Sequence, residues 1–294
     1  MAELDLADLT AASLERIRKQ TPLVHNITNF VVMNDTANVL LAIGASPVMA
    51  HAISEVREMV AYAGALVLNI GTLDTEWVES MLIAGLEANE RGVPVVLDPV
   101  GAGATAFRTA ATQQILDTVK VAAVRGNAGE IATIAGLRGK VRGVDSVSAD
   151  APDTAALVVA RRTGGAAVAS GATDYVAGAP VAVRAGAAGT PAVPQLAGVL
   201  RLAEVTNGDP FMGRITGSGC MATAILGAFL AVEADPFLAA VEAMIAFGIA
   251  GEAAAAISAG PGTFRAHLID AVANLSRAQI VDRARARIRA AQPA

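Results

Sequence analysis

At 294 residues, 54% hydrophobic and only 3% aromatic, the chain can bury a large core built from alanine, valine, leucine and isoleucine. Its net charge of −5, with no basic stripe and no aromatics interleaved with Lys or Arg, argues against a nucleic-acid partner. A single cysteine excludes an intrachain disulfide and fits a cytoplasmic setting, while His25, His51 and His267 lie too far apart for zinc spacing.

Residues 1–8 carry acids and no apolar run, so no signal peptide is expected. Residues 4–19 place Leu6, Leu9, Leu14 and Ile17 on one broad face and predict an amphipathic helix that Pro22 stops. Residues 23–27 read as a strand and 29–43 as a helix ended by Gly44. Short apolar runs then recur as strands at 47–49, 65–70, 93–97, 122–124 and 166–169. Helix-period segments alternate with them at 54–63, 75–89, 109–119, 128–135 and 153–162. Strands that are apolar throughout are covered on both faces, and their alternation with helices predicts a doubly wound, parallel α/β sheet.

Residues 184–199, rich in Ala, Gly and Pro, read as a surface loop. Beyond them the pattern is helical at 220–232, 237–257, 264–274 and 277–290, punctuated by Asp235-Pro236 and Gly260-Pro261-Gly262. With no Ser/Gly linker and no internal repeat, residues 1–294 are expected to form one domain. The uncharged stretches 36–54 and 215–232 raise a membrane question. Both hold polar or loop-forming residues, such as Asn38, Pro47, His51 and Thr216 to Gly219, so each reads as buried helix plus loop and no membrane partner is expected.

Open parallel sheets bind ligands outside the carboxyl ends of their strands. The residues at those ends form a coherent set: Asn29 after the first strand, Met49 after the second, Asn69 and Gly71 after the third, and Asp98 after the fourth. Arg125-Gly126-Asn127 follows the fifth, with Glu130 one turn into its helix, and Ser170 follows the sixth. Thr216-Gly217-Ser218-Gly219-Cys220 then opens a long apolar helix. Glycines let backbone approach a ligand closely, and the free N–H groups of a helix start favour an anion. A thiol in the first turn sits where a thiolate is stabilised, so Cys220 is a candidate proton acceptor beside a phosphate cradle.

Asp98 and Glu130 offer two carboxylates on neighbouring loops, which suits Mg²⁺. Arg125 offers a forked, permanently charged donor for phosphate oxygens. Metal, arginine and a helix N-terminus are recurring parts of a phosphoryl-transfer site. Each residue also has a plainer reading. Asp98 is a turn residue before Pro99, Glu130 a first-turn acid, Arg125 a surface ion pair, Ser170 a turn and Cys220 a small buried side chain. Convergence at one sheet edge is what favours chemistry. No Walker A motif is present, and the Gly101-Ala102-Gly103 turn is too short for a dinucleotide fingerprint. A cysteine hydrolase would need His25 or His267 beside Cys220.

Several stretches together resemble the hydroxyethylthiazole kinase family of the ribokinase-like superfamily. They are residues 22–29, 44–50, 64–73, 93–104, 125–127 and 216–220, in family order. The resemblance implies a three-layer ribokinase-like α/β fold with a mostly parallel central sheet flanked by helices. It implies ATP- and Mg²⁺-dependent phosphorylation of the primary alcohol of 4-methyl-5-(2-hydroxyethyl)thiazole in thiamine salvage. Carried over residue by residue, it has Met49 and Gly217 contacting the thiazole, and Asn29 and Gly71 lining the same pocket. Arg125 and Ser170 hold ATP, Asp98 and Glu130 organise Mg²⁺, and Cys220 takes the place of an aspartate base in related sugar kinases. It also implies a homotrimer with sites between subunits. Residues 136–153 and 184–199 depart from the family pattern. Three readings compete: a related kinase of pyrimidine or pyridine alcohols, an ATP-dependent dehydratase of hydrated NADH, and a silent nucleotide sensor. The dehydratase expects an acid where Cys220 stands, and the sensor expects Asp98, Arg125 or the glycine turn to be lost.

Overall fold

The structure, a computed structural model, describes residues 4–137, 151–180 and 198–291. The loop expected at 184–199 lies outside these residues except for Gly198 and Val199, as does most of 136–153. Among the described residues nine strands form one sheet: β1 (Leu23–Ile27), β2 (Ser46–Val48), β3 (Ala65–Asn69), β4 (Val95–Asp98), β5 (Ala123–Asn127), β6 (Ala166–Ser170), β7 (Asp174–Gly178), β8 (Leu200–Val205) and β9 (Ala286–Ala291). Their order is β2-β1-β3-β4-β5-β6-β7-β8-β9. Pairing is parallel from β2 through β6 and antiparallel from β6 to β9.

Helices cover both faces. On one lie α1 (Leu6–Gln20), α2 (Met33–Ile43), α8 (Ser218–Leu230), α9 (Pro236–Ala256), α10 (Pro261–Ala273) and α11 (Arg277–Arg283). On the other lie α3 (Val56–Val60), α4 (Thr75–Arg91), α5 (Ala106–Thr118), α6 (Ala128–Ile134) and α7 (Pro152–Thr163). The pleat divides each strand between the two cores: Val67 joins the first, and its neighbours Leu66 and Leu68 join the second. This is why the parallel strands read as unbroken apolar runs.

The structure differs from the sequence reading at three places. The helix expected at 29–43 starts only at Met33, because the Asn29 side chain turns inward and its Oδ1 accepts the Val31 amide at 3.1 Å. Strands β7 and β8 lie where the sequence reading placed no strand: β7 is only five residues ending in Ala-Gly, and β8, which alternates Leu200 and Leu202 with Arg201, directly follows the stretch read as a loop. The segment read as helical over 277–290 is the short helix α11 followed by strand β9. There a period of two wins: Ala286 and Ile288 pack on the core, while Arg287 reaches Glu204 on β8 at 2.6 Å.

Helix α9 is long and apolar enough to cross a membrane, but 89% of that window is buried inside the fold. It carries one buried carboxylate. Ser13 on α1 donates to Glu242 Oε2 at 2.5 Å, and Arg16 donates to Ser13 at 2.9 Å and to Glu233 at 3.1 Å. Among the described residues Glu242 Oε1 has no partner. Burial pushes the Glu242 carboxyl up to about 8 from its ordinary 4.5, so it is neutral at pH 7. A carboxyl raised on folding contributes stability that is full at low pH and is lost as pH rises through about 8. Glu242→Gln is therefore expected to flatten the pH dependence of denaturation above pH 5. At pH 9 it should raise stability by a few kcal/mol, on the order of 3. Denaturant titrations at several pH values check this, and an unchanged slope in the variant would refute it.

Candidate active site

A cavity of about 610 Å³ opens at the carboxyl edge of the sheet, between the ends of β4, β5 and β6 and the start of α8. Asp98, Arg125, Glu130, Ser170, Gly217 and Cys220 all line it. Gly217 precedes the first turn of α8 with φ +85, and a Cβ there would lie 2.9 Å from Val32, so only glycine turns the chain here. No side chain caps α8, which leaves its first N–H groups available to an anion. Arg125, from β5, donates to the Gly219 carbonyl at 3.0 Å and so holds its guanidinium against this turn.

Cys220 sits in the first turn of α8, within a chain of amides. Its Sγ accepts from Asn69 Nδ2 at 3.2 Å and from Asn29 Nδ2 at 3.6 Å. Asn29 also donates to Asn69 Oδ1 at 2.8 Å. Asn69 donates to Asp98 Oδ2 at 2.9 Å, and Thr223, on α8, donates to the same oxygen at 2.8 Å. Burial pushes the Asp98 carboxyl up to about 6, against the opposing charge of Arg125 and the Thr223 bond. The thiol is pushed up to about 11, first by burial and then by the charge of Asp98. The Asn69 and Asn29 bonds and Arg125 oppose this only in part. Lost hydration and a nearby carboxylate therefore work against the thiolate that a helix start favours, and keep Cys220 mainly a thiol near neutral pH.

Glu130 caps its own helix: its Oε2 accepts the Asn127 amide at 2.8 Å and its Oε1 the Gly101 amide at 2.7 Å. It therefore ties the loop after β4 to the start of α6. Ser170 donates to the Gly126 carbonyl at 3.1 Å and faces the cavity. Met49, Asn29 and Gly71 do not line the cavity. Asn29 touches the cavity-lining sulfur, and Gly71 stands a step further back, its amide donating to Asn69 Oδ1 at 3.0 Å. Met49 follows β2, at the outer edge of the sheet. His25 bonds the Ala50 carbonyl and His267 bonds Ser258, so neither activates Cys220.

Sequence reasoning missed Thr223, which supports Asp98 from behind the cavity, and several residues that line the cavity itself. Thr223 carries a readable signal, since it lies three residues past Cys220 on the same helical face. Asp174, Asn207, Met212, Met244 and Phe247 line the far wall. Asp174 opens strand β7 and Asn207 lies just past strand β8, two strands the sequence reading did not place.

Among the described residues no cluster of three or more His, Cys, Asp or Glu could cage a metal ion. The donor set fits Mg²⁺ held in another manner. Asp98 is desolvated and faces the cavity, and no described donor bonds its Oδ1. One or two carboxylates completed by water and phosphate oxygens is the ordinary Mg²⁺ arrangement. Both Glu130 oxygens already accept backbone amides, so Asp98 is the more open of the two.

A mostly parallel α/β sheet with an uncapped helix start, an arginine and a desolvated carboxylate around one cavity is the arrangement of a small-molecule phosphotransferase. Comparison with known proteins narrows the class. The model of the hydroxyethylthiazole kinase family matches residues 14–278. A hydroxyethylthiazole kinase of Desulfotalea psychrophila is 50% identical over 276 residues, covering 92% of this chain and 93% of its own. One from Rubrobacter xylanophilus is 52% identical over 266 residues, covering 90% and 91%. The solved hydroxyethylthiazole kinase protein of Pyrococcus horikoshii OT3 superposes with a TM-score of 0.81 at 42% identity, covering 96% of this chain and 99% of that one. The chain belongs to the hydroxyethylthiazole kinase family, and its fold is three-layer ribokinase-like.

Proposed function

We propose that the protein transfers the γ-phosphoryl group of ATP to the primary alcohol of 4-methyl-5-(2-hydroxyethyl)thiazole, in thiamine salvage. The observation that carries this reading is one cavity holding the uncapped start of α8, Arg125, Asp98 and Cys220 in a chain of this family. The transferring phosphoryl group faces the amides of residues 217–220, and Arg125 neutralises nucleotide charge with Ser170 beside it. Mg²⁺, held by way of Asp98 and Glu130, supplies neutralisation of phosphate charge when bound. Met49 and Gly217 contact the thiazole, and Asn29 and Gly71 complete that pocket. Cys220 accepts the alcohol proton. Its sulfur first gives its own proton to solvent, which positive charge against Asp98 favours by removing one cause of the upward shift, and the resulting thiolate then takes the alcohol proton. An alkanol loses its proton late in a loose transition state, so positioning and electrostatics outweigh the base.

The single continuous sheet supports reading residues 1–294 as one kinase domain. A cytoplasmic homotrimer with sites between subunits completes the proposal. In its support, exposed Phe30, Val31 and Ile53 lie in the two loops that also carry Asn29 and Met49. The decisive experiment is a coupled ADP-release assay with the thiazole alcohol, hydroxymethylpyrimidine and pyridoxal side by side, with and without Mg²⁺. ADP release that depends on the thiazole and on Mg²⁺ is expected. Preference for either other alcohol would overturn the substrate assignment.

A further inference from the structure

We infer that Arg108 is a positioning residue that locks the alcohol side of the site to the phosphate side; this rests on the kinase reading above. Arg108 stands in the first turn of α5 and does not itself line the cavity. Its Nη1 donates to the Ile70 carbonyl at 2.9 Å and to the Val100 carbonyl at 2.7 Å. Its Nη2 donates to the Gly71 carbonyl at 2.5 Å. One guanidinium thus bridges the turn after β3 and the turn after β4.

Each turn leads directly to the chemistry. At the first, the Gly71 backbone is pressed on the Asn29 side chain, where an added Cβ would lie 2.5 Å from Nδ2. The Gly71 amide also donates to Asn69 Oδ1. Asn29 and Asn69 are the two donors to the Cys220 sulfur. At the second, Gly101 follows Val100, and its amide grips Glu130 Oε1 at 2.7 Å. The same turn continues from Asp98 through Pro99. Gly101 has φ +76, and a Cβ there would lie 3.0 Å from Arg108 Cδ, so the arginine stem fills the space this turn leaves. The Ile70 amide's bond to the Asp98 carbonyl at 3.3 Å and the Asn69 bond to Asp98 tie the two strand ends, and Arg108 is the tie that reaches further out, to Gly71 and Val100.

A planar fork meets three carbonyls on two loops; a lysine ammonium on its flexible stem does not reproduce that geometry. The distance between the alcohol and the phosphoryl group depends on how these turns are spaced. Misplacement of about 1 Å at a reacting centre costs on the order of 100-fold in rate.

The test compares the parent with Arg108→Ala and Arg108→Lys. In the ligand-free proteins, hydrogen–deuterium exchange of peptides covering residues 69–73 and 99–104 should rise several-fold, roughly threefold or more, in both segments. In steady-state kinetics, kcat of Arg108→Ala should fall about 10- to 100-fold, and KM for the thiazole alcohol should rise more than KM for ATP. Guanidinium chloride at low millimolar concentration should restore part of kcat in Arg108→Ala, while equimolar ammonium chloride should not. Arg108→Lys should recover little. If Arg108→Ala fails to fold, Arg108→Lys alone carries both measurements. Unchanged exchange in either segment, or a lysine variant with half or more of the parent kcat, overturns the inference. If the parent itself does not phosphorylate the thiazole alcohol, the functional reading fails, and the exchange comparison alone then decides the role of Arg108.

Discussion

Replacing Asp98 with alanine is expected to lower Mg²⁺-dependent turnover by about 1,000-fold while leaving thiazole binding nearly intact. Asp98 ends β4 with one oxygen taken by Asn69 and Thr223 and the other free of described donors, facing the cavity. Burial has raised it to about 6, so it is a carboxylate at neutral pH that lacks hydration. Such a group attracts a cation strongly. The sign of the pH dependence follows: turnover of the parent should rise with pH through about 6, as the carboxylate ionises, and Asp98→Asn should lose that limb. Stability should move the other way. A carboxyl raised on folding loses stability as pH climbs past its folded value. Asp98→Asn should therefore be more stable than the parent at pH 8, by on the order of 1–3 kcal/mol. Kinetics at saturating Mg²⁺ together with denaturation at pH 5 and 8 test both halves. An alanine variant with no defect at saturating Mg²⁺ would remove Asp98 from the metal site.

Cys220→Ala should lower turnover by roughly 100-fold and leave ATP affinity nearly unchanged. The chain holds one cysteine, so no other thiol can stand in for it. With the thiol pushed up to about 11, the ionised fraction near neutral pH is small and grows about tenfold per pH unit. Parent turnover should therefore keep climbing between pH 7 and 9, and the alanine variant should lose that slope. Cys220→Asp should keep activity and shift the rise to lower pH, because a carboxylate takes the same proton without first losing one. Full turnover in Cys220→Ala would take the sulfur out of the mechanism.

The fold and half of the site were legible for one reason. In a parallel sheet, strand ends mark the ligand edge, and those ends are local features. Asp98, Arg125 and Ser170 could be found by asking which polar residue follows each apolar run, and all three line the cavity. Gly217 and Cys220 were legible because a glycine turn before an apolar helix is a short-range pattern. The antiparallel strands were not legible. Strand β9 is held by its pairing with β8, where Arg287 and Arg289 both meet Glu204, and such pairing is invisible until both strands are known. Asn207 and Asp174 stayed hidden with those strands. Arg108 gave no signal, because its partners are backbone carbonyls, which every sequence supplies.

The sequence by itself determined the class of fold, the family and the side chains able to do chemistry, because periodicity, turn residues and residue types act over a few neighbours. Only the tertiary structure decided which of those side chains meet. It gathered Asp98, Arg125 and Cys220 in one cavity, left Met49 at the outer edge of the sheet, and gave Glu130 two backbone amides to hold. It also set the surroundings of the sulfur, where burial and the Asp98 carboxylate push the thiol up. The physical reason is that desolvation and Coulomb interaction depend on distance and burial, and both are set by contacts between residues far apart along the chain.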